Sequence, residues 1–150
     1  MNFFLEKLIK INKHFNNKNE CFHDMIKTLN SEEIFEDVSA FSKSIFDREA
    51  IMSTGFGRGI GLPHGRGSFV KELKVLVYIL DRDLEFMAID DEPVNIIFMF
   101  AIPESKKDEY LKILKSVSNF LRLEKNRQRM IDSKSCNEIF RILQEIENEI

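Results

Sequence analysis

The sequence predicts a single α/β domain in which a sheet is sandwiched by helices. Two apolar runs, KVLVYIL at 74–80 and VNIIFMFAI at 94–102, lack the polar alternation of a half-exposed strand and read as strands buried on both faces. Amphipathic helical patterns precede and follow them. A chain of 150 residues, 43% of them hydrophobic, can bury one substantial core and is too short for two ordinary domains.

Residues 1–16 mix apolar and basic side chains and fit either a strand or a short helix. Asn17 and Glu20 then have the spacing of a helix N-cap and its N3 acid, and Phe22, Met25, Ile26 and Leu29 follow at helical intervals, predicting a helix near 18–30. A second helix is expected over 37–51, with Val38, Phe41 and Ile45 on its buried stripe. Arg48, one turn beyond Ile45, falls at the edge of the core. The two apolar strands come next, and Pro103 ends the second because proline cannot continue the hydrogen-bond ladder. Ser105 with Asp108, and Ser135 with Glu138, repeat the capping-box spacing where new helical patterns begin. The first of these helices is expected to carry Tyr110, Leu111, Leu114, Val117 and Leu121 on one face. The last is expected to carry Ile139, Ile142, Leu143 and Ile146.

Composition narrows the function classes. A net charge of -3 from 22 basic and 25 acidic residues gives no general attraction to nucleic acid or anionic membranes. Cys21 and Cys136 lie far apart and belong to no CxxC or Cys/His cluster, so neither a zinc site nor a disulfide framework is indicated. No segment offers the roughly 18 uncharged residues of a spanning helix, which predicts a soluble, unsecreted, cytoplasmic protein without direct membrane insertion.

The chemistry concentrates in one segment. Gly55, Gly57, Gly59, Gly61, Gly65 and Gly67 are all the glycines of the protein, and the window that holds them also contains Pro63, His64, Arg58 and Arg66. The spacing is not GxGxxG, because Ile60 and Leu62 stand where a third glycine is required, and no GK[ST] follows, so a nucleotide site is disfavoured. From Ala50 through Lys71 there is no carboxylate, while Arg58, Arg66 and Lys71 bring positive charge. That surface suits an anion. By composition alone, a histidine in a glycine-rich turn reads as a solvated loop residue.

Residues 48–64, REAIMSTGFGRGIGLPH, resemble the signature around the phosphorylated histidine of fructose-, mannitol- and nitrogen-type enzyme IIA domains of the bacterial sugar phosphotransferase system. That signature runs Arg-Glu, a spacer, Ser-Thr-Gly, a glycine-rich turn, then Gly-Ile-Ala-hydrophobic-Pro-His. Downstream, LEFMAIDDEPVNIIFMFAIP is similar to the family's strand, acidic turn, Pro-Val and central strand, and DEYLKIL to its following helix. The likeness covers about 18–145. It implies the type-2 enzyme IIA fold, a single mixed β-sheet flanked by helices on both faces. It also implies a phosphocarrier that accepts a phosphoryl group on His64 from the carrier protein HPr, or its nitrogen-pathway counterpart, and passes it to an enzyme IIB, with no cofactor or metal.

By the same resemblance, Arg48 supports the phosphohistidine. Ser53 and Thr54 fit hydrogen bonds to phosphate or to the turn itself, and Arg58 and Arg66 fit contacts with a partner protein. Two positions depart from the family. Tyr110 occupies the place of a second histidine, where it either donates a hydrogen bond to a phosphoryl oxygen or simply packs; it cannot exchange a proton at neutral pH. Gly61 replaces the customary alanine. His14 and His23 lie outside the signature and read as surface residues, and Asp90-Asp91 before Glu92-Pro93 as a solvated turn rather than a metal pair. Nitrogen-type members act as free-standing chains whose phosphorylation controls other proteins, and this chain is expected to resemble them in carrying no appended IIB or membrane region. A regulatory module is therefore the alternative function. A domain that keeps the fold without transferring phosphate is a third, motivated by Tyr110.

Overall fold

The computed structural model describes residues 2–150. The open N-terminal segment is a strand, β1 (Phe4–Lys13), followed by helices α1 (Lys18–Ser31) and α2 (Val38–Ile51). The glycine-rich segment supplies three short strands, β2 (Gly55–Gly57), β3 (Ile60–Gly61) and β4 (His64–Gly67). The two apolar runs become β5 (Lys74–Leu84) and β6 (Val94–Pro103), and a 3-10 turn at Glu104–Lys106 leads to α3 (Lys107–Leu121), α4 (Glu124–Asp132) and α5 (Cys136–Glu147).

One sheet carries all six strands in the order β1-β5-β6-β3-β2, with β4 paired to β6 farther along the same edge. It is mixed: β1 runs parallel to β5, β3 and β4 run parallel to β6, and β5–β6 and β2–β3 are antiparallel. Successive residues of a strand point to opposite faces, and here both faces are covered. Val75, Val77, Phe98 and Phe100 pack with Ile113, Val117, Ile139 and Leu143 of α3 and α5, while Leu76, Tyr78, Ile97 and Met99 pack with Phe22, Met25, Phe41 and Ile45 of α1 and α2. The sandwich inferred from the unbroken apolar runs is the arrangement found.

Three helix starts follow their local chemistry. The side chain of Asn17 accepts from Glu20 N at 2.8 Å, that of Asp37 from Ala40 N at 3.1 Å, and that of Ser135 from Glu138 N at 3.1 Å, each satisfying an amide that the helix leaves unpaired. The Ser105 cap is corrected: the 3-10 turn takes residues 104–106, α3 begins at Lys107, and no side chain caps it. The buried face differs in part from the expected one. Tyr110, Val117 and Leu121 are buried as expected, but Ile113 joins them, whereas Leu111 is exposed and Leu114 only partly covered. Helix α4, absent from the sequence-based expectation, has only Asn126 and Met130 buried, so it lacks an apolar stripe to read. Among the described residues no helix is long and apolar enough to cross a membrane.

Candidate functional site

The site forms where β3, β4 and β6 lie side by side against α2 and α3. His64 opens β4 and pairs with Phe100 of β6, whose amide donates to Pro63 O at 2.9 Å. The amide of Leu62 donates to Thr54 O at 2.9 Å, which pins the Ser53–Thr54–Gly55 turn beside the Pro-His segment. Helix α2 lies tight on β4: a Cβ at Gly65 would come within 2.8 Å of Phe41 and of Ser44 Oγ, so glycine is what permits the approach. The last turn of α2 thereby brings Arg48 to the same end of the sheet as His64. From the opposite layer, the Tyr110 ring sits edge-on to Phe100 at 5.3 Å and 5.6 Å from the His64 ring. A cleft of about 350 Å³ results, lined among others by Arg48, Thr54, Phe56, His64, Ile89 and Tyr110.

His64 Nδ1 lies 3.4 Å from Leu62 O. A carbonyl can only accept, so this contact favours the tautomer with the proton on Nδ1 and the lone pair on Nε2. Burial lowers the His64 pKa from its ordinary value; the Leu62 contact opposes this, and the Arg48 charge adds to it. The imidazole is neutral at pH 7, the form that can act as a nucleophile. An NMR titration of the ring nitrogens is expected to give a half-point below 6.5, and a half-point above it would mean that burial does not dominate. The unfolded chain, with the higher pKa, takes the proton first, so stability should fall as pH drops below about 6.5 and level off once the folded-state pKa is passed. The Tyr110 hydroxyl has its pKa pushed up to about 12 by burial, offset in part by Arg48, and so keeps its proton throughout the neutral range.

The structure sorts the other candidate residues. Arg48 Nη1 donates to Met52 O at 2.7 Å, and its neighbours in sequence are engaged elsewhere, Asp47 by Lys43 and Glu49 by Lys18, so neither pairs with Arg48. Ser53 Oγ donates to Phe86 O at 2.7 Å and accepts from Gly55 N at 3.0 Å, and Thr54 Oγ1 donates to Glu49 Oε2 at 2.6 Å. Both hydroxyl protons are therefore spent on the turn. Arg58 and Arg66 lie outside the cleft, with side chains on Arg122 O at 2.9 Å and Glu104 O at 3.2 Å.

The carboxylate-free stretch acquires acids from outside it. Asp90 accepts from Arg58 N and Glu92 N, which lower its pKa, so it braces the β2–β3 hairpin as well as its own turn. His14 meets Asp81 at 3.4 Å and His23 the Phe46 ring at 4.9 Å, both away from the cleft. Gly61 is explained by Phe86, whose buried ring would stand 2.9 Å from an added Cβ. Sequence reasoning missed Phe56 and Ile89 in the cleft wall; apolar residues within a glycine turn and an acidic turn were the available signal. It also missed Glu49 and Lys18. Glu49 stands in the Arg-Glu pair of the signature, but nothing local marks Lys18. Among the described residues no group of three or more His, Cys, Asp or Glu could hold a metal ion.

A family model described as phosphoenolpyruvate-dependent sugar phosphotransferase system, EIIA 2, matches residues 2–146. The chain is 30% identical over 112 residues to a nitrogen regulatory protein of Pseudomonas aeruginosa, covering 75% of this chain and 73% of that one. It is 29% identical over 111 residues to the fructose-specific EIIA component of Haloferax volcanii, covering 74% and 72%. The crystal structure of nitrogen regulatory protein IIA-Ntr from Neisseria meningitidis superposes with a TM-score of 0.88 at 26% identity, covering 94% of this chain and 96% of that one. The mixed sheet, the Pro-His cleft and a match spanning nearly the whole chain agree: it belongs to the EIIA type-2 family of the phosphoenolpyruvate-dependent sugar phosphotransferase system.

Proposed function

We propose that this domain is a cytoplasmic phosphocarrier whose His64 takes a phosphoryl group from phosphorylated HPr, or its nitrogen-pathway counterpart, and yields it to an enzyme IIB. The observation that carries this reading is the His64 ring held through Nδ1 in a cleft beside Arg48, with Nε2 left as the nucleophile. The Nε2 lone pair attacks phosphorus, the P–N bond of the donor phosphohistidine breaks, and the donor imidazole keeps the electron pair. The same steps in the opposite sense deliver the group to an IIB thiolate. Little covalent chemistry is asked of the protein, so positioning and charge on the equatorial oxygens dominate.

Arg48 is assigned to those oxygens, at the cost of its exposed bond to Met52 O. Ser53 and Thr54 are assigned to holding the turn, because their protons are already donated. Arg58 and Arg66 are assigned to the partner protein. Around the cleft, Ile51, Met52, Met87 and Ile89 are exposed by 63% to 81%, an apolar rim that suits a partner able to shut water out while the phosphoryl group moves. The regulatory alternative, in which the phosphorylation state controls other proteins, is favoured by the nitrogen regulatory relatives. Mixing the phosphorylated domain with enzyme IIB tests the transport reading: the label is expected to move to the IIB cysteine, and a label that stays on this domain would favour regulation.

Tyr110 lines the cleft, and its hydroxyl makes no hydrogen bond to another group among the described residues, which leaves it available to a phosphoryl oxygen. Tyr110→Phe keeps the ring packing on Phe100. Since a neutral hydrogen bond contributes only about 0.5 to 1.5 kcal/mol, phosphohistidine lifetime or transfer rate should drop by roughly twofold to tenfold. Tyr110→His, the family's usual residue, should match or exceed the parent. If Tyr110→Phe equals the parent in both quantities, the residue only packs.

A further inference from the structure

We propose that Lys18 and Glu49 form a partly buried clamp that positions the Ser53–Thr54–Gly55 turn and the end of α2 for phosphoryl transfer, an inference that rests on His64 being the acceptor. Glu49 grips Thr54 with both side-chain oxygens: Oε1 accepts from Thr54 N at 2.9 Å and Oε2 from Thr54 Oγ1 at 2.6 Å. Lys18 reaches across from the first turn of α1, donating to Glu49 Oε1 at 2.9 Å and to Phe86 O at 3.1 Å, with its ammonium 4.8 Å from the centre of the Phe86 ring. The Phe86 carbonyl also accepts from Ser53 Oγ at 2.7 Å. One ammonium thus joins α1, α2, the active-site turn and the segment leading to Met87 and Ile89.

The placement is informative because it is unfavourable by local rules. A lysine in the first helical turn opposes the helix dipole, and the pair is deeply placed, with Glu49 and Lys18 side chains only 6% and 20% exposed. Such a pair is often replaceable by apolar residues without loss of stability, so its value here lies in what it holds. Glu49 adjoins Arg48 in the chain, and Thr54 O holds Leu62 N two residues before His64. Fixing Glu49 therefore steadies the end of α2 that carries Arg48 and, through Thr54 and Leu62, the backbone that leads to His64. Lys18 and Glu49 are positioning residues and touch no phosphoryl oxygen.

The test compares Lys18→Met with the double variant Lys18→Met/Glu49→Leu, which removes the buried charge altogether. Amide exchange at Thr54 and Gly55 is measured on the unphosphorylated protein, thermal stability by circular dichroism, and transfer from phosphorylated HPr by steady-state kinetics. In Lys18→Met, exchange should quicken about tenfold or more, and kcat should fall roughly tenfold to a hundredfold with KM within about twofold. The double variant should recover the parental Tm without recovering kcat, an outcome that a purely structural pair would not give. Parental kcat in the double variant overturns the clamp, as does parental exchange at Thr54 in a folded Lys18→Met. Exchange needs no phosphoryl donor, so failure of the parent to be phosphorylated counts against His64 as acceptor, while the exchange result still judges the clamp.

Discussion

His64→Ala is expected to abolish phosphorylation by phosphoenolpyruvate, enzyme I and HPr, where the parent acquires an acid-labile adduct. The other two histidines offer no substitute. His14 faces Asp81 at 3.4 Å, a carboxylate that would repel an incoming phosphoryl group, and His23 of α1 lies against Phe46 of α2. Neither lines the cleft that holds Arg48. The fold should survive, since the side chain is only half-buried and its polar contact to Leu62 O is long at 3.4 Å. Circular dichroism would verify this. Undiminished labelling of a folded His64→Ala protein would move the acceptor elsewhere.

Arg48→Ala is expected to leave the fold intact and to slow transfer by roughly tenfold to a thousandfold, the scale of losing a charged donor to the transition state. Alanine is the best helix former, and the bond lost in the ground state, from Nη1 to Met52 O, is exposed and replaceable by water. The loss should therefore appear in the rate and hardly in the melting temperature. Arg48→Lys should fall between the two, because it keeps the charge and loses the planar fork. A parental rate in folded Arg48→Ala would leave the guanidinium as a surface group that merely ties off the end of α2.

Much of this was legible in the sequence, for identifiable reasons. β5 and β6 announced themselves because both faces are buried, and Asn17 and Ser135 because capping is a local matter of one side chain and one amide. β1 did not, since the exposed charges of Glu6, Lys7 and Lys10 interrupt its apolar residues, and its register against β5 is broken twice. Ser105 misled because the chain leaves Pro103 in a 3-10 turn, a tertiary choice that no spacing rule detects. In the site, His64, Arg48 and the Ser-Thr-Gly turn came from motif resemblance, and their convergence depends on β3 and β4 running parallel along β6. Lys18 was illegible because its partners lie 31 and 68 residues away and belong to other elements.

The most direct measurement is NMR of the phosphorylated protein with nitrogen-15 in its histidine rings. The expected result is a single phosphoramidate, its phosphorus coupled to Nε2 of His64, with Nδ1 still protonated and facing Leu62 O. Phosphorus bonded to Nδ1 of His64, to His14 or to His23, or no phosphoramidate under conditions that phosphorylate another enzyme IIA, would contradict it.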